Sequence, residues 1–329
     1  MSVYIHLDMN EMPYLPPENV VRAAQKGLLN LNRYAEQKDL EHLKSLLADY
    51  SGVPEEHIVL SAGSDLLLRE IVHSFSRGRK IVMVSPSFLP TVQAAKQFAT
   101  KLVSIRLSPP EFVLKPELLL DEAEASALVI IDNPNNPTGK ILLERPTVEA
   151  VLDHEDTFLV IDEAYFEFSG VTFADLVSDH PNLAITRTMD KAFSLAGARI
   201  GYLLVGNYFL DVFSSFYAFL PQSSLHAAVE ALNCTEYVRK NVKLIVDERK
   251  RLQKKIEDLG TSVSSSSTNF LLIKTEIPDL SVRLKNSGVL VSDVSSQLAP
   301  GSIRISVGTR EENDAFINEY SKILEEANE

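Results

Sequence analysis

The sequence predicts an α/β fold with a large, mostly parallel seven-stranded sheet covered by helices on both faces, together with a smaller α/β domain. Three observations predict it. Seven short apolar runs lie between residues 58 and 205, helical segments separate them, and a second group of such runs begins at residue 270. Runs that are apolar without alternation are typical of strands buried on both faces, and their alternation with helices indicates parallel strands.

The seven runs are residues 58–60, 81–84, 102–105, 128–131, 158–161, 183–185 and 200–205. Polar or turn-forming residues follow several of them, at positions 61–65, 85–88, 132–133, 162 and 186–191. Ligands of open α/β sheets bind beyond the carboxyl ends of the strands. We therefore expect these polar segments to converge on one site.

The second half of the chain predicts the smaller domain. Apolar residues of segment 236–259 form the stripe of a long amphipathic helix, which we expect to bridge two domains. Gly260 ends it, a serine-rich loop follows at 264–267, and strands are predicted at 270–273, 289–291 and 303–307 before a last helix. We place a large domain at 31–234 and a small domain, built from both chain ends, at 1–30 and 235–329.

Composition limits the function classes. The formal net charge is −13 with scattered Lys and Arg, which argues against nucleic-acid binding. Cys234 is the only cysteine, which fits a reducing compartment, and no long apolar segment or signal peptide is visible. Seven dispersed histidines predict no metal site. A cytoplasmic protein without membrane contact is expected.

Lys191, which follows the apolar run 183–185, is the most informative residue. A lysine amine can form a Schiff base with an aldehyde, provided that burial or nearby positive charge lowers its pKa. Taken alone, Lys191 reads as a solvated surface lysine. Its neighbours in sequence favour the chemical interpretation, because Asp162 at the end of a buried strand needs a partner and a protonated pyridine nitrogen would be a strong one.

Further residues fit the same aromatic aldehyde. Tyr165 and the amide of Asn136 could donate to its phenolate oxygen, although both also suit ordinary turns. Ser64 and Asp65 open a predicted helix whose first amides could hold a phosphate, or they are only its cap. Arg199 would add a forked cation. Together these segments point to pyridoxal phosphate.

Phe88, after Ser85-Pro86, could stack on the face of a pyridine ring. Core packing is the alternative interpretation, and it holds for most phenylalanines of a globular protein.

In this order, the segments resemble the aspartate-aminotransferase-like fold and, most closely, the histidinol-phosphate aminotransferase family. The resemblance covers nearly the whole chain. It is carried by residues 7–13, 32–36, 63–65, 133–139, 162–168, 188–202 and 303–313.

The resemblance implies pyridoxal 5'-phosphate as cofactor and amino transfer between an amino-acid or amino-alcohol phosphate donor and a 2-oxo acid. It implies that Lys191 carries the internal aldimine, that Asp162 pairs with the ring nitrogen, and that Phe88 lies on the ring, where the family usually has tyrosine. Tyr165 and Asn136 would bind the ring oxygen.

The same resemblance assigns the remaining positions. Ser64, Asp65 and Arg199 would hold the phosphate. Tyr34 would reach the cofactor of a neighbouring subunit, because the family shares active sites across a homodimer. Substrate binding falls to a last set of three residues, namely Arg304, Asn10 and Glu11, with Arg304 on the anionic group.

Three features depart from the family. Asp190 stands where a serine usually binds the phosphate, so we expect its carboxylate to turn away or to be neutralised by Arg187 or Arg199. Ser292 replaces an arginine that contacts the substrate phosphate. The chain also begins almost at Asn10, so the N-terminal cover of the family is expected to be missing.

Several alternatives stay open at this point. A broader-specificity aminotransferase and a threonine-phosphate decarboxylase-like enzyme share the expected fold. A nucleotide-binding oxidoreductase would suit a parallel sheet, but no Gly-x-Gly-x-x-Gly follows the first strand. A non-catalytic binding protein is opposed by the joint presence of Lys191, Asp162 and Arg199.

Overall fold

The computed structural model describes residues 4–124, 126–213, 216 and 219–328, and the ends of the predicted domain ranges, 1–3 and 329, lie outside them. The strands are β1 (Ile5–Leu7), β2 (Ile58–Ser61), β3 (Lys80–Ser85), β4 (Lys101–Arg106), β5 (Ala127–Asp132), β6 (Phe158–Asp162), β7 (Leu183–Thr188), β8 (Gly201–Val205), β9 (Val263–Ser264), β10 (Phe270–Lys274), β11 (Val289–Asp293) and β12 (Ser302–Ser306).

The α-helices are α1 (Glu18–Leu28), α2 (Gln37–Ser51), α3 (Ser64–Phe75), α4 (Leu89–Phe98), α5 (Pro116–Ala123), α6 (Arg145–Leu152), α7 (Phe166–Ser169), α8 (Asn207–Phe213), α9 (Gln222–Asn233), α10 (Glu236–Asp258), α11 (Leu280–Asn286) and α12 (Arg310–Asn328). Short 3-10 turns occupy Glu55–His57, Ala174–Leu176 and Ala196–Ala198.

All seven predicted runs of the large sheet are strands, so this prediction is confirmed. Their order is β2-β8-β7-β6-β5-β3-β4. The strands are parallel except β8, which runs antiparallel to both β2 and β7. The register places Asp132 beside Asp162, and Asp162 beside Thr186, at one end of the sheet.

Both faces of this sheet are covered, which explains why its strands are apolar without alternation. Val129 of β5 and Ile161 of β6 belong to one buried core. Leu128 and Val160, their neighbours in the chain, belong to a second core on the other face. Side chains of successive strand residues point to opposite faces, so each strand fills two cores.

A second sheet has the order β1-β11-β12-β10-β9 and joins the N-terminal segment to the last third of the chain. The three strands predicted there are found as β10, β11 and β12. Two details differ from the sequence interpretation. Residues 5–7, for which no strand was predicted, pair in parallel with β11, and Ser264 of the predicted serine loop lies in β9. Strands of two or three residues carry too little periodicity to be read from sequence.

Helix α10 matches the predicted long helix. Ile245, in its first half, packs in a core of the large sheet, whereas Leu252 and Ile256 pack against the second sheet. This position supports a bridge between two domains, whose exact boundaries stay a prediction. Within the described part of the chain, none of the helices has the length and apolar character needed to span a membrane.

Candidate active site

Asp162 ends strand β6 and is buried. Its Oδ1 accepts hydrogen bonds from the Thr186 hydroxyl (2.7 Å) and from the backbone N–H of Ala164 (3.2 Å). Its Oδ2 receives no hydrogen bond from any described residue. Burial raises the pKa of Asp162 to about 7, and the charge of Asp132 adds to the rise. A cation at Oδ2 would stabilise the ionised carboxylate and lower this pKa. A protonated pyridine nitrogen is such a cation.

Lys191 lies in the turn after β7. Its Nζ donates a hydrogen bond of 3.0 Å to the carbonyl oxygen of Met9, at the start of the chain. Burial lowers its pKa to about 8, opposed by the charge of Asp190, and the charges of Arg304 and Glu11 also act on it. Lys191 is therefore no solvated surface lysine. The lowered pKa increases the fraction of free amine near neutral pH, as a nucleophile requires.

A candidate anion cradle is formed by the first turn of α3 together with Arg199. Gly63 precedes the helix at φ +108°, and no side chain caps the first amides. Gly201 of β8 backs this turn so closely that a Cβ there would lie 2.2 Å from the Ser64 nitrogen. Arg199, at φ 56°, donates to the carboxylates of both Asp65 and Asp190.

Tyr165 and Arg304 each contact the N-terminal segment and Asn136. Its hydroxyl accepts a hydrogen bond from the Asn10 amide (2.9 Å) and lies 3.5 Å from the Asn136 amide. Burial raises the pKa of Tyr165 to about 12, so the hydroxyl stays protonated at neutral pH. Arg304 donates to the Asn136 Oδ1 (2.7 Å) and to the Asp8 carbonyl (2.6 Å), and its buried Nε has no partner among the described residues.

Asp132, at the end of β5, was not predicted as a site residue. Its carboxylate accepts hydrogen bonds from the Ser87 hydroxyl (2.9 Å) and from the backbone N–H groups of Phe88 (3.2 Å) and Asn136 (2.8 Å). It therefore ties the loop of Phe88 to the loop of Asn136. The available signal was an aspartate directly after a fully apolar strand, which needs buried donors.

Three further predicted positions are accounted for. Tyr34 is 79% exposed, with its ring against Phe219, and the single chain does not bring it to the other candidates. Glu11 is exposed, but its charge acts on Lys191. Ser292 is the cross-strand partner of Arg304 in β11 and β12, so both side chains project from the same face of the sheet.

Of the two arginines expected to neutralise Asp190, the structure selects Arg199. Arg187 is buried elsewhere: it pairs with Glu163 at 2.9 Å and its guanidinium lies 3.8 Å from the ring centroid of Phe166. Arg187 and Glu163 form a buried ion pair beside β6 and β7, so Arg187 is not part of the anion cradle.

The model of the family described as aminotransferase class I and II matches residues 2–319, almost the whole chain and every residue of the candidate site. The chain belongs to this family. Its relatives include the histidinol-phosphate aminotransferases of Sulfurisphaera tokodaii, 37% identical over 98% of this chain and 91% of that protein, and of Pyrococcus furiosus, 34% identical over 98% and 93%. These matches extend over nearly the whole of both proteins, so within the aminotransferases the chain belongs with the histidinol-phosphate aminotransferase family.

Solved structures confirm the predicted fold. A putative histidinol-phosphate aminotransferase from Erwinia carotovora atroseptica superposes with a TM-score of 0.91 at 23% identity, over 98% of this chain and 97% of the other. The histidinol-phosphate aminotransferase from Sinorhizobium meliloti, in complex with pyridoxal-5'-phosphate, gives 0.85 at 24% identity, over 98% and 91%. The aminotransferase is an enzyme of the pyridoxal phosphate-dependent class I and II fold.

The residues present fit this cofactor. Oδ2 of Asp162 receives no hydrogen bond from the described residues, and the buried Nε of Arg304 has no partner among them. The first turn of α3 is uncapped. A ligand with a basic ring nitrogen at one end and an anionic group at the other therefore matches groups that the folded chain leaves unsatisfied.

Proposed function

We propose that this aminotransferase exchanges an amino group between histidinol phosphate and 2-oxoglutarate in a ping-pong reaction of histidine biosynthesis, in the cytoplasm. The observation that carries the proposal is a buried amine, Lys191, which shares the segment between β7 and β8 with Arg199. This segment follows the strand that pairs with the end of β6 at Asp162, in a chain whose relatives over nearly the full length are named histidinol-phosphate aminotransferases. When bound, pyridoxal phosphate supplies an aldehyde for the amine and a ring that takes up electrons.

The chain's own residues would hold the cofactor as follows. Lys191 is the point of covalent attachment. Asp162 offers its unpaired Oδ2 to the ring nitrogen, and Tyr165 and Asn136 offer donors to the ring oxygen. The backbone amides of Ser64 and Asp65, together with Arg199, would bind the phosphate. Phe88 would lie against the ring.

Lys191 also suits proton transfer. A group with a pKa of about 8 exchanges protons readily near neutral pH, because neither of its protonation states is strongly favoured. The Met9 carbonyl accepts a hydrogen bond from Nζ, which holds the amine in one orientation. We therefore assign to Lys191 the movement of the proton at the substrate carbon.

Arg304 is the proposed anchor for the anionic group of the substrate. Its buried Nε has no partner among the described residues, while Asn136 and the Asp8 carbonyl accept hydrogen bonds from its other two nitrogens. Asn10, bonded to Tyr165, and Glu11, whose charge acts on Lys191, are the other two proposed substrate contacts. Tyr34, exposed in the single chain, is proposed to complete the site of a second subunit in a homodimer.

The test is an amino-donor screen with purified, cofactor-loaded enzyme. Histidinol phosphate is compared with glutamate, aspartate and aromatic amino acids, and the change in the cofactor's absorption spectrum is the readout. We expect the largest spectral change with histidinol phosphate and formation of glutamate from 2-oxoglutarate. Carbon dioxide release without glutamate would instead indicate a decarboxylase, and no response to histidinol phosphate would exclude the proposed donor.

Lys191→Ala provides the control for this screen. Without the amine we expect the turnover to fall at least about 10²-fold and borohydride to fix no cofactor to the protein. Lys140→Ala removes a lysine whose Nζ donates to the Ser265 hydroxyl, away from the residues proposed to bind the cofactor, and should behave as wild type.

A second candidate, an aminotransferase of broader specificity, is favoured by one observation. Ser292 projects from the same face of the sheet as Arg304, at the position where the family resemblance predicts an arginine. The site therefore has one fixed cation on that strand pair instead of two. Equal spectral responses to histidinol phosphate and to aromatic amino acids would favour this candidate.

A further inference from the structure

The anion cradle contains more negative charge than a phosphate site is expected to tolerate. The guanidinium of Arg199 is divided between two carboxylates, with Nη2 on Asp65 and Nη1 on Asp190. One arginine can balance one of them. A phosphate bound at the first turn of α3 would bring further negative charge to the same guanidinium.

Asp190 is the more constrained of the two acids. Its side chain is 9% exposed, whereas that of Asp65 is 42% exposed. Its Oδ1 is buried and receives no hydrogen bond from the described residues. A buried carboxylate oxygen without a donor is costly, so a proton or a donor is required at this atom.

The groups around Asp190 do not supply that donor. From its own loop, Lys191 donates to the Met9 carbonyl. The Thr188 hydroxyl accepts from the backbone N–H of Asp190 and donates to the Ile200 carbonyl at 3.2 Å. From α3 comes the carboxylate of Asp65, and from the turn before β8 comes Arg199, which already binds Oδ2. Burial raises the pKa of Asp190, and the charge of Asp65 adds to the rise, against Arg199 and Lys191.

We propose that one proton is shared between the Asp190 carboxyl and an oxygen of the cofactor phosphate, and that this proton is taken up from solution when the cofactor binds. The shared O–H joins two groups that would otherwise repel each other. It gives Asp190 the function of a hydroxyl donor and leaves the charge of Arg199 for the phosphate. The inference rests on the proposed position of the phosphate.

The proton count of binding tests this directly. Pyridoxamine 5'-phosphate is the probe, because it carries the phosphate but forms no bond with Lys191. Calorimetric titration at pH 7.5, in two buffers of different ionisation enthalpy, gives the number of protons taken up. We expect the wild type to take up close to one proton more than Asp190→Asn. Its affinity relative to that variant should fall by up to about tenfold per pH unit as the pH rises, because the bound state holds the extra proton.

Asp65→Asn is the matched control, because it removes the same charge from the same arginine. It should keep the proton uptake of the wild type. Equal counts in wild type and Asp190→Asn, or loss of the uptake in Asp65→Asn alone, would overturn the inference. A proton uptake near zero in the wild type would also overturn the inference, and this measurement does not depend on whether any variant folds.

Arg199→Met separates this inference from the site on which it rests. If Arg199→Met binds the probe as tightly as wild type, or if the wild type binds none, the phosphate lies elsewhere and both proposals fail. If Arg199→Met binds more weakly while the proton counts of wild type and Asp190→Asn agree, only the role of Asp190 is overturned.

Discussion

At the scale of single residues, two buried carboxylates of the candidate site differ in how many hydrogen bonds the folded chain gives them. Asp162 and Asp132 are carboxylates at the ends of adjacent strands, and burial raises the pKa of both, to about 7 and about 6. Asp132 accepts hydrogen bonds from four donors, whereas one oxygen of Asp162 receives none from the described residues. The difference separates a residue that positions loops from one that can meet a ligand.

Asp162 should make the cofactor-free protein less stable as the pH rises. Its folded pKa lies above the unfolded value near 3.9, so between about pH 4 and 7 the folded state holds a proton that the unfolded state has lost. The free energy of unfolding therefore falls across this window. The free energy of unfolding is measured by urea titration at pH 5, 6 and 7. Its decrease with pH should be smaller in Asp162→Asn than in the wild type, and unchanged in Asp153→Asn, which alters an exposed residue. An unchanged slope in Asp162→Asn would contradict the assignment.

A second prediction at this scale concerns Ser292. Because it stands opposite Arg304, an arginine there would place a second cation on the same face of the sheet. We expect Ser292→Arg to raise kcat/KM for a phosphorylated donor relative to an unphosphorylated one by roughly tenfold, the value of one charged hydrogen bond. The measurement is the ratio of kcat/KM for the two donors. Ser287→Arg, on an exposed turn, is the control, and a ratio that rises equally in both would count against Ser292.

At the scale of elements, the site depends on how closely strands and helices approach each other. The contact of β8 with the start of α3 is an example: Gly201 lets the backbone of β8 meet the backbone of Gly63 and Ser64, and the missing Cβ of Gly63 leaves space for the Arg199 guanidinium. This contact places the uncapped turn of α3 beside Arg199. Backbone proximity of this kind needs glycine because a Cβ would occupy the same space.

Gly201→Ala should therefore move the start of α3 and weaken the cradle. We expect the affinity for pyridoxamine 5'-phosphate to fall by roughly tenfold or more, as small displacements of a positioned group commonly do. Binding is measured by fluorescence or calorimetry. Gly197→Ala, where a Cβ meets nothing within 4 Å, is the matched control. Equal affinities in the two variants would show that the approach of β8 does not position the cradle.

The buried pair of Arg187 and Glu163 holds β7 to the segment after β6. Both side chains are almost fully buried, at 2% and 0% exposure. Arg187→Met leaves an uncompensated carboxylate and should lower the free energy of unfolding by about 3–5 kcal/mol. Arg145→Met, which breaks an exposed pair with Asp175, should cost far less, because water and salt screen exposed charges. Similar losses in urea unfolding of the two variants would refute this ranking.

At the scale of the whole molecule, the site is assembled from distant parts of the chain. Asn10 and Arg304 come from the two ends and meet Tyr165 and Asn136 of the large sheet. In the proposed homodimer, the exposed Tyr34, packed on Phe219, would add a contribution from a second copy. Oligomeric symmetry would then make each site depend on both subunits.

Mixed dimers test this sharing. Lys191→Ala and Tyr34→Ala are each expected to be nearly inactive alone. If Tyr34 acts across the interface, a heterodimer of the two has one complete site, so equal mixing with free exchange should restore about a quarter of wild-type activity. Activity is measured after refolding the variants together. No recovery would mean that Tyr34 serves its own subunit or none.

The sequence by itself determined the large sheet, helix α10 and the chemical character of the site. Strands buried on both faces are continuous apolar runs, and Lys191, Asp162 and Arg199 follow them in chain order, so local pattern sufficed. Only the tertiary structure decided that Arg199 rather than Arg187 meets Asp190, that Asp132 joins two loops, and that residues 5–7 form a strand. These outcomes depend on contacts between residues far apart in the chain, whose distances and competing partners no local pattern contains.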